Sequence, residues 1–224
     1  MAGPLLWPSD LSPSSEDWSL RGGTRSGGQT FEGNEAVVIS PTARWKAAMS
    51  IPCAGRTKVQ AMRRIIALGR SQVWYVGPYE RSRAPWPIDP VVGGYLTDKT
   101  PGLVQSPLSF NLLQDAALNA PAISIQRVRG GLLAPGMIFS IGSRLHTIVG
   151  LTTDDPIDPA SGLAVPGGIG VMIRPWLRAD YSAGANIRFD FPTGTMRLAS
   201  DDTGAMELQL SRYGTVSLDL VEAF

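Results

Sequence analysis

Chemistry along this chain would have to come from very few residues, because its 224 positions hold one histidine, His146, and one cysteine, Cys53. A nucleophilic triad needs a base beside its nucleophile, and a zinc site needs several nitrogen or sulfur ligands. His146 instead sits in a β-patterned run between Arg144 and Ile148, and Cys53 lies far away beside Pro52. His146 is therefore read as a strand histidine without catalytic duty. Asp154-Asp155-Pro156-Ile157-Asp158 is the acidic cluster that most resembles a cation site. It lacks the alternating oxygen ligands and closing glutamate of a calcium loop, and Pro156 and Pro159 stiffen it, so an exposed acidic turn is expected. Asp201-Asp202-Thr203-Gly204 reads as an ordinary turn.

Two further features bear on binding. Arg21-Gly22-Gly23-Thr24-Arg25-Ser26-Gly27-Gly28 is glycine-rich but lacks a Gly-Lys-Ser/Thr ending and precedes a strand, whereas phosphate cradles open a helix. A flexible edge or hinge is expected, with Arg21 and Arg25 available to an acidic partner surface. Of the six tryptophans, Trp45 and Trp74 lie in patterned strands and read as core. Trp86 and Trp176 adjoin prolines and read as surface or interface aromatics, the platform that an alternative role as a carbohydrate-binding module would use. No carboxylate pair stands out as a glycosidase dyad. The expectation is no enzyme: no catalytic residue, no cofactor and no metal.

The elements that position these residues are mostly strands. Arg44-Trp45-Lys46-Ala47-Ala48-Met49-Ser50-Ile51 alternates, with Trp45, Ala47, Met49 and Ile51 on one face. Glu35-Ala36-Val37-Val38-Ile39 is a β-branched run before Pro41, and Gln29-Thr30-Phe31-Glu32 reads as a short strand between glycine turns. One helix follows. Thr57 is expected to cap it with Gln60 completing a capping box, Val59, Met62, Ile65 and Ile66 form its apolar stripe, and Gly69 ends it. Gln72-Val73-Trp74-Tyr75-Val76 is a further strand.

Three prolines at residues 85–90 read as an extended connector. Beyond it come short strands around Ile123-Ser124-Ile125-Gln126-Arg127-Val128, Met137-Ile138-Phe139-Ser140-Ile141, Leu145-His146-Thr147-Ile148-Val149 and Ile169-Gly170-Val171-Met172-Ile173. A Gly142-Ser143 hairpin turn joins the second and third. Residues 152–168 read as an exposed loop. Alternation resumes at Ile187, Phe189, Phe191, Met196 and Leu198. It ends in two strands, Met206-Glu207-Leu208-Gln209-Leu210 and Val216-Ser217-Leu218-Asp219-Leu220-Val221, parted by a Tyr213-Gly214 turn. The fold expected is mainly β (a β-rich α+β chain). Residues 1–90 plus 186–224 would form a discontinuous β-sandwich with one packed helix, and residues 91–185 an inserted small β-barrel.

Composition narrows the function classes. A net charge of +1 argues against nucleic acid as the main partner, because phosphate neutralisation demands a basic excess. With 43% hydrophobic and 17% charged residues the chain can bury a core. A single cysteine rules out an internal disulfide framework. Residues 1–19 lack the basic start and unbroken apolar run of a signal peptide, and no stretch reaches membrane-spanning length. A protein made in the cytosol, without membrane insertion, is expected.

The order Gly28-Gln29-Thr30-Phe31, Glu35-Ala36-Val37-Val38 and Arg44-Trp45-Lys46-Ala47 resembles the N-terminal part of minor tail proteins of long-tailed phages, of the distal-tail or baseplate-ring type. The helix, the strand at residues 72–76, the Gly136–Val149 hairpin region, Pro192-Thr193-Gly194-Thr195-Met196-Arg197-Leu198 and the closing Ser217-Leu218-Asp219-Leu220-Val221-Glu222-Ala223-Phe224 extend the similarity over nearly the whole chain. The resemblance is one of pattern and order. It implies a ring, commonly a hexamer, that joins the tail tube to the hub and fibre proteins at the virion tail tip and assembles in the host cytoplasm. An outward-facing inserted barrel that carries partners or binds sugar is a further implication.

Overall fold

The computed structural model describes residues 3–29, 33, 35–79, 84–89, 93–100, 103, 105–156, 158, 163–204 and 213–223, with Arg25 and Gln29 described by backbone alone. Among the described residues the chain is mainly β, with one α-helix and a closed six-stranded barrel. It divides into two compact units: Met1–Tyr79 with Thr193–Phe224, and Glu80–Pro192. Unit 1 opens with β1 (Leu5–Leu6), β2 (Ser15–Arg21), β3 (Thr24–Gln29), β4 (Glu35–Ile39), β5 (Arg44–Ala54), α1 (Gly55–Leu68) and β6 (Trp74–Val76). Unit 2 supplies β7 (Ser109–Leu112), β8 (Ala122–Arg129), β9 (Ile138–Ile141), β10 (Arg144–Leu151), β11 (Gly167–Arg174) and β12 (Asn186–Arg188). Unit 1 then resumes with β13 (Gly194–Leu198) and β14 (Tyr213–Glu222).

Unit 1 is organised around β5. Its alternation is carried through: Trp45, Ala47, Met49, Ile51 and Cys53 are buried while Lys46, Ala48 and Pro52 face out. β14 pairs antiparallel along nearly all of it, setting Val216 opposite Ile51, Leu218 opposite Met49 and Leu220 opposite Ala47, so two apolar faces coincide. The sheet order is β1-β6-β13-β14-β5-β2, and in place of the expected sandwich of two packed sheets the described residues of unit 1 form this one six-stranded sheet with α1 packed against β5, and a separate two-stranded β3–β4 ribbon. Val59, Met62 and Ile65 are the buried stripe of α1.

The helix begins earlier than its capping pattern indicates. Ala54 holds the cap position in extended conformation with no side-chain bond, and Gly55 at φ +80° turns the chain from β5 directly into α1. Thr57 thus lies inside the first turn and does not cap. Gly69 does end the helix, at φ +55°, its N–H reaching the carbonyls of Ile65 and Ile66. The Tyr213-Gly214 turn is also corrected: both residues pair in β14, with Ala54 and Cys53. The strand expected at 206–210 lies outside the described residues. Of the glycine-rich stretch, Arg21 ends β2, Gly22-Gly23 form a bend and Thr24–Gly28 lie in β3, so it is a bend that leads into a strand; residues 30–32 lie outside the described residues.

Unit 2 is the barrel, closed in the order β10-β11-β8-β7-β12-β9 with every pairing antiparallel. Closure leaves no strand edge unpaired within it. Phe110, Leu112, Ile125, Phe139, Ile141, Ile169, Val171 and Ile187 fill the interior. The Gly142-Ser143 hairpin forms as read, setting Ile141 opposite Arg144. The boundary at 186 moves, however: Asn186–Arg188 pairs with β7 and β9 and closes the barrel, so unit 1 resumes only at Thr193. The strand is three residues long, too short for periodicity to assign it to either unit. The described part of the proline-rich connector likewise belongs to unit 2, where Ile88 bridges Tyr95.

Candidate functional site

His146 is fully buried, its ring stacked on Phe139 with centroids 5.6 Å apart. Because a carbonyl only accepts, the 2.8 Å contact to Pro175 O places the proton on Nδ1, leaving Nε2 as a buried acceptor with no hydrogen-bond partner. Burial lowers the pKa from 6.5 to about 4; the Pro175 bond opposes the shift, and the charges of Arg178 and Arg144 add to it. The imidazole is neutral at pH 7 and is part of the barrel interior. Cys53 belongs to the other unit, buried in β5 with its thiol pushed up chiefly by desolvation. Sequence separation of these two residues is matched by separation into different units.

The acidic turn is corrected. Asp155 is not exposed: its carboxylate pairs with Arg127, Nη1 to Oδ1 at 2.6 Å, with side chains 7% and 1% exposed. That approach is not aligned as a hydrogen bond to Oδ1, so it holds as an ion pair, while Oδ2 accepts the Leu133 N–H at 2.7 Å. Arg127 spends its remaining donors on carbonyls: Val165 from Nε and Nη2, Gly131 from Nη1 and Pro156 from Nη2. One guanidinium thereby ties three loop segments to β8, an arrangement that suits its planar fork of donors. Asp155 is consumed as a counter-ion, and among the described residues no group of three or more His, Cys, Asp or Glu could hold a metal. The strand pattern itself holds the signal for this pair. Ile123, Ile125 and Arg127 share one face of an alternating strand, so Arg127 had to point inward and needed a partner.

The tryptophan platform fares unevenly. Trp86 is 6% exposed, which corrects its reading as a surface aromatic. Trp176 is half-buried, with the Arg174 guanidinium 5.5 Å from its ring centre. Beside Trp86, unit 2 opens into a cavity of about 410 Å³ lined by residues that include Pro85, Pro87, Tyr95, Gly131 and Leu132. In unit 1, Trp18 packs edge-on against Trp45 and donates to the Glu16 carboxylate. Glu16 also takes the Tyr79 N–H.

The clearest interaction surface lies in unit 1. β2 and β5 pair as far as Arg21 and Arg44, then the chain kinks at Gly22-Gly23 and Ser40–Ala43 and continues as the β3–β4 ribbon. Ser40 N–H to Gly23 O at 2.9 Å stitches the kink. Every residue of β4 is exposed, including Val37 at 58%, Val38 at 59% and Ile39 at 47%. Since side chains alternate across a strand, Val38 points to one face and Val37 and Ile39 to the other. Both faces are bare. Gly27 lets the two strands approach closely here, since a Cβ would lie 3.1 Å from the Ala36 carbonyl oxygen. The ribbon is a β-branched arm without a core of its own, and two isolated strands are marginal in water.

No family model matches this chain, and no curated protein does. The functional reading rests on the chain's own geometry and on the pattern resemblance. What the geometry offers is an association surface in unit 1 and an apolar recess in unit 2.

Proposed function

We propose that this protein is a structural, non-catalytic subunit of a phage tail tip, a distal-tail ring protein that joins the tail tube to the hub and fibre proteins. The observation that carries the reading is the β3–β4 arm, with Val37, Val38 and Ile39 exposed on both faces. A β-branched ribbon of this kind gains most by lying against another protein surface, since burying an apolar side chain is worth about 1.5–3 kcal/mol. Unit 1 also keeps β2 at one end of its sheet, an edge open to strand pairing among the described residues. An arm on one patch and an open edge on another make a head-to-tail contact, which closes into a ring when the rotation between neighbours permits. A net charge of +1 opposes such packing little. The chain-order resemblance to distal-tail proteins supplies the position in the tail, and the hexamer with it.

The test is negative-stain microscopy of the purified full chain at high concentration. Discrete rings, six-fold in class averages, are the expected result. Isolated monomers at every concentration would overturn the ring role.

A further inference from the structure

The recess of unit 2 has a rim with unusual hydrogen-bonding. Residues 87–89 and 93–96 pair as the two sides of a small antiparallel bridge, in which Asp89 N–H meets Gly94 O at 2.7 Å and Leu96 N–H meets Pro87 O at 2.8 Å. Ile88 and Tyr95 sit opposite each other between these bonds. They form a non-hydrogen-bonded pair, so their own N–H and C=O groups point away from the bridge. None of those four groups has a partner among the described residues. Both side chains are also exposed, Ile88 at 47% and Tyr95 at 68%.

The cavity of about 410 Å³ adjoins this edge. Among the described residues its lining carries no charged side chain, and its polar side-chain groups are the Tyr95 hydroxyl and the Trp86 indole N–H. Its wall is a direct backbone approach: Gly131 N–H donates to Pro85 O at 2.7 Å, and a Cβ on Gly131 would lie 2.5 Å from Trp86 O. Leu132, 40% exposed, borders the opening. A saccharide would meet only two polar side-chain groups in the described lining, and a charged ligand would be desolvated there without compensation. An extended peptide meets both conditions at once, since its main chain uses the free edge and an uncharged side chain enters the recess.

We propose that the recess beside Trp86 is a strand-addition site for an extended, uncharged segment of a partner protein. The segment pairs with the outward N–H and C=O of Tyr95, on the 93–96 side of the bridge, and seats one apolar side chain between Tyr95 and Leu132. The site uses unit 2 alone and does not depend on ring formation.

The probe is a fluorescent library of blocked pentapeptides, Ser-x-Thr-x-Ser, with x drawn from Val, Ile, Leu and Phe, titrated against the full chain by anisotropy. Some members bind, and hydrogen-exchange mass spectrometry then shows slowed exchange confined to the stretch around residues 84–96. Leu132→Glu and, separately, Ile88→Glu weaken binding by about tenfold or more by placing a charge in the recess, while thermal melts show that each variant remains folded. Maltotriose leaves exchange unchanged. Failure of every library member to bind at millimolar concentration, binding that both variants retain, or protection of the same stretch by maltotriose overturns the proposal. Sedimentation of the same samples reports ring formation independently.

Discussion

Unit 1 and unit 2 are both built from short, mostly antiparallel strands, yet only unit 2 closes on itself. The barrel pairs every strand on both sides and turns its apolar residues inward. The sheet of unit 1 ends at β1 and β2 and sends out a ribbon whose β4 is exposed throughout. The contrast teaches where each unit's stability resides. The barrel is self-sufficient and keeps buried polar groups that must be matched internally, whereas unit 1 leaves apolar surface and strand edge available to a neighbour.

The largest effect expected from breaking this contrast lies in the barrel. Asp155→Ala strips Arg127 of its counter-ion and orphans the Leu133 N–H, and loss of one partner from a buried pair costs about 3–5 kcal/mol. Denaturant unfolding followed by hydrogen exchange should show unit 2 opening earlier, with protection of β5 and β14 preserved. Equal loss in both units would show that the two do not unfold independently.

Acid should single out the barrel in the same way. The folded pKa of His146, about 4, lies below the unfolded value of 6.5, so the unfolded chain binds the proton more readily. The stabilisation is complete above pH 6.5 and is lost as pH falls toward 4, by about 3 kcal/mol over that interval. Melting temperatures of unit 2 measured from pH 7 to pH 4 should fall accordingly. His146→Gln, which cannot take up the proton, should flatten that slope while leaving the pH response of unit 1 as it was.

A smaller effect belongs to unit 1. Glu222, 2% exposed on the inward face of β14, accepts the Trp45 N–H at 3.2 Å. Glu222→Ala removes this acceptor from the buried face and should destabilise unit 1 by about 1–3 kcal/mol in chemical denaturation, with unit 2 unaffected.

How much of this was legible in the sequence depends on whether the deciding contact was local. The alternation of Trp45, Ala47, Met49 and Ile51 gave β5 its buried face, and Gly142-Ser143 gave the β9–β10 hairpin, because period and turn chemistry are written within a few residues. Other features needed partners distant in the chain. Asp155 reads as an exposed turn until Arg127, 28 positions earlier on another element, is placed beside it. Trp86 reads as a surface aromatic until Gly131, 45 positions later, is placed against its backbone. The strand β12 has three residues and declares itself only through pairing with β7 and β9. The exposure of Val37, Val38 and Ile39 was likewise invisible, since a β-branched run reads the same in a core strand and in a bare arm.

The smallest effect on folding is expected where the effect on assembly is greatest. Val37→Thr with Ile39→Thr keeps β-propensity and removes apolar surface from one face of an arm that packs on nothing in its own core, so melting should move by no more than about 0.5 kcal/mol. Sedimentation velocity of the wild-type chain beside this double variant tests the central claim most directly. The wild type should sediment as a discrete ring-sized species that the variant shifts toward monomer at equal concentration. A wild-type chain that stays monomeric, or a variant that sediments unchanged as the ring, would contradict it.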